Sequence, residues 1–338
     1  MKKYDYTILI GRFQPFHNAH HALLKEALRL GEEVVVVVGS ARVARSIKNP
    51  WSAEDRINMI KSTMSQEELD RTYFVELGDY LYNDTIWVTD LQQKIYNVAG
   101  DSDKVAIVGH QYDRSSYYLD LFPQWDFVNV PHMDEHPHAT EIRMMYFTGN
   151  YEYAKHLPVN VASQLDFESR GSQYDDFQKE LQYLLKYAQS WEKAPFPPTF
   201  VTVDAVVVKS GHVLVVRRKG YPGKGLIALP GGFLKSTEFI RDGAVRELKE
   251  ETGIKVPKAE LFNSIIDQRV FDHPERSLRG RTITHAYLMD LKSGPLPRVK
   301  GADDADKAWW MPLNELFARE SEFFEDHWHI VNYFVNRF

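Results

Sequence analysis

The sequence predicts two successive α/β domains, the first on a parallel sheet, and three observations carry that reading. An apolar run at Thr7–Ile10, an amphipathic stretch at Asn18–Leu30 and an almost unbroken Val run at Glu33–Val38 open the chain. Strands apolar on both faces suit a parallel sheet, whose neighbours need a crossover helix between them. Later, Lys193-Ala194-Pro195-Phe196-Pro197-Pro198 breaks any regular element. Phe200–Lys209 then restarts with alternating β-branched residues, so the chain divides into 1–192, a linker at 193–199 and 200–338. With 338 residues, each part is long enough to bury its own core.

Composition narrows the function classes. A hydrophobic share of 43% with 26% charged residues is that of a globular chain and excludes a disordered one. The formal charge of -6 gives no general attraction to nucleic acid or an anionic membrane, so neither is an expected partner. No apolar run reaches the length of a membrane span, and the apolar part of MKKYDYTILIG is too short for a signal peptide. The lack of cysteine removes disulfide and thiolate chemistry, and the expected location is the cytoplasm.

In the first domain, Gly31 closes the Asn18–Leu30 helix, and Gly39-Ser40 lies at a strand's C-terminal end, where α/β folds place ligands. The loop Gly11-Arg12-Phe13-Gln14-Pro15-Phe16-His17 is neither a G-x-G-x-x-G fingerprint nor a G-x-x-x-x-G-K-[ST] phosphate loop. It offers Arg12, His17 and His20 around a helix N-terminus, where backbone N–H groups favour an anion. The imidazoles can stabilise charge developing on phosphorus; packed core or surface histidines are the alternative. Ser52 is a plausible N-cap, and Arg56 follows on a helix with a buried stripe at Ile57 and Ile60. Tyr73–Leu77 and Lys104–Val108 read as strands, and Asn83, Asp84 and Trp87 open the helix between them. Trp87 can stack a flat heteroaromatic or simply fill core. After a fifth strand at Phe127–Val130 come His132, His136 and His138, whose spacing is not distinctive for zinc. Thr140 can cap a helix that brings Arg143 to a second anion cradle. Polar helix from about Val161 to Glu192 closes the domain.

In the second domain, Ser210-Gly211 between Phe200–Lys209 and Val213–Arg217 signals a hairpin. The stretch PGGFLKSTEFIRDGAVRELKEETGI at 230–254 is its centre. Asp242–Thr252 reads as helix, with Gly253 as its C-cap. Three- and four-residue spacing puts Glu247, Glu250 and Glu251 on one patch, and carboxylates that close repel unless a cation sits among them. An all-oxygen set suits Mg²⁺, and Arg246 can brace one carboxylate. A solvated helix with an Arg246–Glu250 pair explains the charges but not the ordered glycines and Glu238. Farther on, Leu261–Val270 and Thr282–Met289 read as strands, with Arg276, Arg279 and Arg281 between them as donors for two phosphates.

Two family resemblances follow from these residues. The 230–254 stretch resembles the Nudix box, which implies an α/β/α domain with a mixed sheet and Mg²⁺-dependent hydrolysis of a nucleoside diphosphate derivative, with Mn²⁺ as the alternative ion. On that resemblance Glu247, Glu250 and Glu251 are metal ligands, with Glu247 and Glu251 catalytic and Glu238 and Arg246 supporting. In that family the water-activating base often lies outside the box, and Glu275 and Asp304 are candidates. The segment at 271–281 resembles that of ADP-ribose pyrophosphatases, with Ser277-Leu278 in place of Asp-Pro. GRFQPFHNAH resembles the nucleotidylyltransferases, and within them the archaeal-type nicotinamide-mononucleotide adenylyltransferases, with Ala19 where glycine is commoner. That likeness implies a Rossmann-like domain in which His17, His20 and Arg143 are catalytic. Gly11, Arg12, Phe13, Gly39, Arg56, Asn83, Trp87 and Thr140 then bind nucleotide, Trp87 with Asn83 receiving the nicotinamide ring. Together they imply ATP, nicotinamide mononucleotide, NAD and ADP-ribose as small-molecule partners of a bifunctional enzyme. They leave a homo-oligomer open, as they do another phosphate acceptor, another diphosphate substrate or an ADP-ribose sensor.

Overall fold

The computed structural model describes residues 2–110, 121–131 and 136–336. Two compact units divide at Gln178/Lys179. The first contains β1 (Tyr4–Gly11), α1 (Asn18–Leu30), β2 (Gly31–Val38), α2 (Ala53–Lys61), α3 (Gln66–Asp70), β3 (Thr72–Glu76), α4 (Asp84–Ala99), β4 (Val105–Gly109), β5 (Asp126–Asn129), α5 (Ala139–Phe147) and α6 (Val159–Glu168). Helix α7 (Ser172–Ser190) spans the division, and the stretch 193–199 lies beyond it. The second unit continues with β6 (Phe200–Lys209), β7 (His212–Arg218), β8 (Ile227–Ala228), β9 (Gly231–Phe233), α8 (Ile240–Thr252), α9 (Lys258–Asn263), β10 (Ile265–Phe271), β11 (Thr282–Asp290), β12 (Ala305–Pro312), α10 (Leu313–Leu316) and α11 (His327–Val335).

The first sheet is wholly parallel, in the order β3-β2-β1-β4-β5, as the Val-rich runs require. Residues Val34–Val38 are all fully buried. This is the Rossmann-like arrangement, with the chain reversing direction across the sheet between β1 and β4, so ligand-bearing loops gather at the strands' C-terminal ends. Gly31 closes α1 as expected, its N–H donating to the Ala27 carbonyl. Its φ is -98°, not left-handed, because it already begins β2. A Cβ there would stand 2.5 Å from Thr7 Oγ1, so glycine also serves close packing against β1.

The second sheet is mixed. Its order is β10-β11-β6-β7-β12, with β8 on β7, β9 on β6 and β11–β6 as the parallel pair. The Ser210-Gly211 turn has φ of +47° and +72°, the left-handed pair that a tight hairpin needs. Ala244, Val245 and Leu248 of α8 pack on Val203, Ala205 and Val207 of β6. Fully burying a Val or Leu side chain stabilises by about 1.5–3 kcal/mol, so Val245 and Leu248 fix the helix that carries the carboxylates. Gly253 ends it at φ +57°. The run read as one strand at 261–270 is instead α9 followed by β10. Pro257 starts that short helix, and Ser264 ends it by donating both N–H and hydroxyl to the Leu261 carbonyl. Likewise the single helix expected over 161–192 is two, α6 and α7, separated at Ser169–Gly171. Among the described residues no helix is long and apolar enough to cross a membrane.

Candidate active sites

The loop after β1 sets the first site. Phe13 takes φ +51° with its ring buried, and a Cβ on Gly11 would meet that ring at 2.7 Å, so Gly11 makes the room Phe13 occupies. The Phe13 ring packs edge-on against His20 at 5.0 Å. His17 is the N-cap of α1; its N–H donates to His20 Nδ1 at 3.4 Å, and the two imidazoles stack at 3.7 Å. His136 also stacks on His17, 5.4 Å away. Burial first, and neighbouring histidines second, depress both pKa values: His17 falls well below the ordinary range and His20 falls to about 3. Both are therefore neutral; the Pro15 backbone hydrogen-bonds to the His20 ring. His17 Nδ1 is buried with no hydrogen-bond partner in the protein, as a group aimed at a ligand would be.

The two arginines expected at phosphate are placed differently. Arg56 is 1% exposed and donates to the carbonyls of Arg12 (2.6 Å), Gly39 (2.7 Å), Ser40 (3.1 Å) and Ser52 (3.0 Å). Its guanidinium is thus committed to holding the ends of β1 and β2 in place, not presented to a phosphate. Arg143 donates to the Gln14 carbonyl at 2.5 Å and to Thr140 Oγ1 at 3.0 Å, and burial lowers its pKa to about 10. It joins the two motifs that lie 129 residues apart in sequence. Arg12 is exposed. Thr140 is not the cap: His138 is, with Glu141 accepting from the His138 N–H at 2.7 Å. Asn83 caps α4 through the Ile86 N–H, and Trp87 is part-buried in the core, 6.1 Å from Phe122. Around Gly39 the nearest atom to an added Cβ is 3.6 Å away, so the protein itself does not demand glycine there. His136 packs against His17 and His156, and His138 caps α5; His132 lies outside the described residues.

Sequence reasoning missed Gln14. Its side-chain amide donates to the Trp51 carbonyl at 2.9 Å and accepts from the Trp51 N–H at 3.2 Å, tying the histidine loop to the start of α2. The residue stood inside the motif, but only the fold supplies its partner.

The second site is built on α8. Arg246 gathers carboxylates: two bonds to Glu238 (2.9 and 2.7 Å), one to Glu247 (2.7 Å) and one to Glu250 (2.8 Å). Its hydrogen bonds pull Glu238 down to about 2. Glu247 is 12% exposed and Glu250 is 41% exposed, yet both accept from the same Arg246 nitrogen, so the two share one patch with Glu250 on its solvent side. Arg246 supplies the positive charge nearest to Glu250, 2.8 Å away. Glu251 is buried, accepts from the Gly231 N–H at 3.0 Å, and is pushed up to about 8, chiefly by burial. Burial also raises Glu247. A Cβ on Gly232 would meet the Glu247 carboxylate at 2.7 Å, so the Gly-Gly pair is the space in which these carboxylates sit. Hard oxygen donors buried at high charging cost, beside a backbone cradle, fit a divalent cation.

Of the three arginines, Arg276 is buried in a two-bond pair with Asp326, 2.8 Å each, and is not presented to a phosphate. Arg279 is part-buried, 3.8 Å from Glu325, and Arg281 bonds to the Asp272 carbonyl at the rim. Glu275 and Asp304 are both exposed. Asp204, Arg218, Glu325 and Asp326 were not singled out from sequence. Asp204 accepts from Thr284, Arg218 lies 4.0 Å over the Phe324 ring, and electrostatic coupling links Arg218 to both Glu251 and Glu325. Their pairings cross most of the domain, and no local pattern announces them.

Comparison with known proteins places these geometries. A NUDIX domain model matches residues 198–334 and a cytidylyltransferase-like model matches residues 8–128. A crystal structure of a bifunctional NMN adenylyltransferase/ADP ribose pyrophosphatase from Francisella tularensis, complexed with AMP and a Mn ion, is 37% identical. It superimposes with a TM-score of 0.91 over 99% of each chain. The nicotinamide/nicotinic acid mononucleotide adenylyltransferase of Acinetobacter baylyi is 42% identical over 44% of this chain and 79% of its own. An ADP-ribose pyrophosphatase of Methanocaldococcus jannaschii is 39% identical over 34% of this chain, which spans 63% of that relative.

Proposed function

The chain belongs to the bifunctional NMN adenylyltransferase/Nudix ADP-ribose pyrophosphatase family, and from that premise we propose how its residues divide the two reactions. The first unit transfers AMP from ATP to nicotinamide mononucleotide, giving NAD and pyrophosphate; the second hydrolyses ADP-ribose to AMP and ribose 5-phosphate. The carrying observation is that a neutral histidine pair and a Gly-cradled carboxylate helix occur in one chain, 99% of which superimposes on a bifunctional relative.

In the first unit the mononucleotide's phosphate oxygen attacks the α-phosphorus of ATP in line. The new P–O bond forms as the α–β bridging bond breaks and pyrophosphate leaves. His17 and His20 donate hydrogen bonds to the phosphoryl oxygens, where charge grows. Arg12 faces the polyphosphate from the loop rim. Arg143 acts by fixing Gln14 and Thr140, and Arg56 by fixing Gly39 and the loop ends, so the donors are pre-set. Asn83 and Trp87 receive the nicotinamide side. No covalent nucleophile is needed, because the acceptor is itself a phosphate anion.

In the second unit, water adds to a phosphorus of the diphosphate and the bridging P–O bond breaks. Glu247, Glu250 and Glu251 would hold a divalent ion, Mg²⁺ in our reading, which when bound supplies Lewis-acid activation of water and charge neutralisation. Arg246 orients Glu247 and holds Glu238 ionised beside it. Arg279 meets the diphosphate, with Arg281 at the rim and Arg276 supporting the fold beneath. Product chromatography in Mg²⁺ tests both halves. NAD is expected from mononucleotide plus ATP, and AMP from ADP-ribose alone; NAD without AMP would remove the hydrolase assignment.

A further inference from the structure

Two adjacent carboxylates before α11 are treated oppositely by the fold. Asp326 has both oxygens matched by Arg276. Glu325 does not: its side chain is 10% exposed, and Oε1 is buried with no partner in the protein. Its backbone also sits at φ +46°, a region non-glycine residues rarely adopt, so the surrounding structure imposes that placement. Strain and an open acceptor on one residue are what a ligand contact explains.

The surroundings say which ligand. Arg279 lies 3.8 Å from the carboxylate, and its guanidinium is 5.1 Å from the Phe233 ring and 5.8 Å from the Phe324 ring. Phe233 is 37% exposed and ends β9, directly after the Gly231-Gly232 cradle of Glu247 and Glu251. Ser277 and Arg279 both act on the Glu325 carboxylate, and Arg218 is coupled to it and to Glu251. Cations for a diphosphate, a partly exposed ring for a base and an open acceptor, all three joined at Arg279, suit a nucleoside subsite. An anionic acceptor there pairs with sugar hydroxyls, as acidic residues do in dinucleotide sites.

We propose that Glu325 accepts hydrogen bonds from the ribose hydroxyls of the substrate's nucleoside half and thereby excludes 2′-phosphorylated nucleotides. The proposal rests on the hydrolase reading given above. A 2′-phosphate removes one hydroxyl donor and sets a dianion against a buried carboxylate, so discrimination arises from both a lost partner and like charge.

The test is kcat/KM for ADP-ribose and for its adenosine 2′-phosphate, in Mg²⁺, with wild type, Glu325→Gln and Glu325→Asp, each checked for a wild-type-like melting transition. Wild type should prefer ADP-ribose by about 100-fold or more, the discrimination that buried polar recognition reaches. Glu325→Gln should narrow that ratio by at least about tenfold, mainly through KM, while Glu325→Asp, which keeps the charge, should hold it. A wild type that accepts the 2′-phosphate equally well overturns the assignment without any variant. An unchanged ratio in an active Glu325→Gln protein does the same. Equal loss of kcat on both substrates, together with one limb of the pH profile, would make Glu325 the water-activating base instead. Wild type that fails to cleave ADP-ribose at all would remove the hydrolase reading and this proposal together.

Discussion

The two sites solve opposite electrostatic problems. Around His17 and His20 the ionisable groups are imidazoles kept uncharged by burial, and the buried arginines donate to backbone carbonyls. Around Glu247 and Glu251 negative charge is accumulated and only partly matched by Arg246. The first arrangement offers preformed donors to a polyanion; the second gathers the hard oxygen donors that suit a divalent cation. A site that must release pyrophosphate gains from neutral donors, whereas one that must activate water gains from a cation held by acids.

The sharpest break between the two is Glu251→Gln. It keeps an acceptor for the Gly231 N–H but removes the carboxylate. AMP release from ADP-ribose should fall by about 10³-fold or more, with NAD synthesis unchanged, in parallel product assays. The reciprocal change, His17→Ala, should lower NAD synthesis by about 10²–10³-fold, the scale for losing one transition-state donor, and leave hydrolysis alone.

Stability should separate the units next. Arg56→Ala strips four carbonyls of a charged donor and should cost about 3 kcal/mol or more, read as faster amide exchange confined to peptides of the first unit. Arg276→Met leaves Asp326 buried and unpaired and should cost about 3–5 kcal/mol in the second unit, by the same measurement.

The smallest contrast is in pH, and its signs are opposite. Glu251 has its pKa raised from 4.5 to about 8, so folding binds its proton more tightly. Its contribution is full below pH 4.5 and is lost as pH rises through 8, with an upper bound of about 5 kcal/mol. His20 is lowered from 6.5 to about 3, so its contribution is full above pH 6.5 and is lost as pH falls toward 3. In chelator, exchange in the second unit should quicken from pH 5 to 8 and that of the first from pH 6.5 downward. Glu251→Gln should flatten only the former trend.

Much of the fold was legible because its signals are local. The Val run announced a buried parallel strand, Ser210-Gly211 the hairpin, and Gly253 the end of α8, each decided within a few residues. Side-chain commitments were not legible. Arg56 and Arg276 look from sequence like phosphate ligands, yet one is matched to carbonyls from two strand ends and the other to Asp326, 50 residues on. Helical spacing placed Glu250 beside Glu247, but that one Arg246 nitrogen binds both carboxylates was not legible. Glu325 carried no pattern at all, since its strained φ and open oxygen exist only in the folded chain.

The central claim is that one chain holds two chemically independent sites. Its most direct test is a crossed product assay, in which Glu251→Gln and His17→Ala are each offered mononucleotide plus ATP and, separately, ADP-ribose. NAD without AMP is expected from the first variant and AMP without NAD from the second. Loss of both products in either folded variant would contradict it.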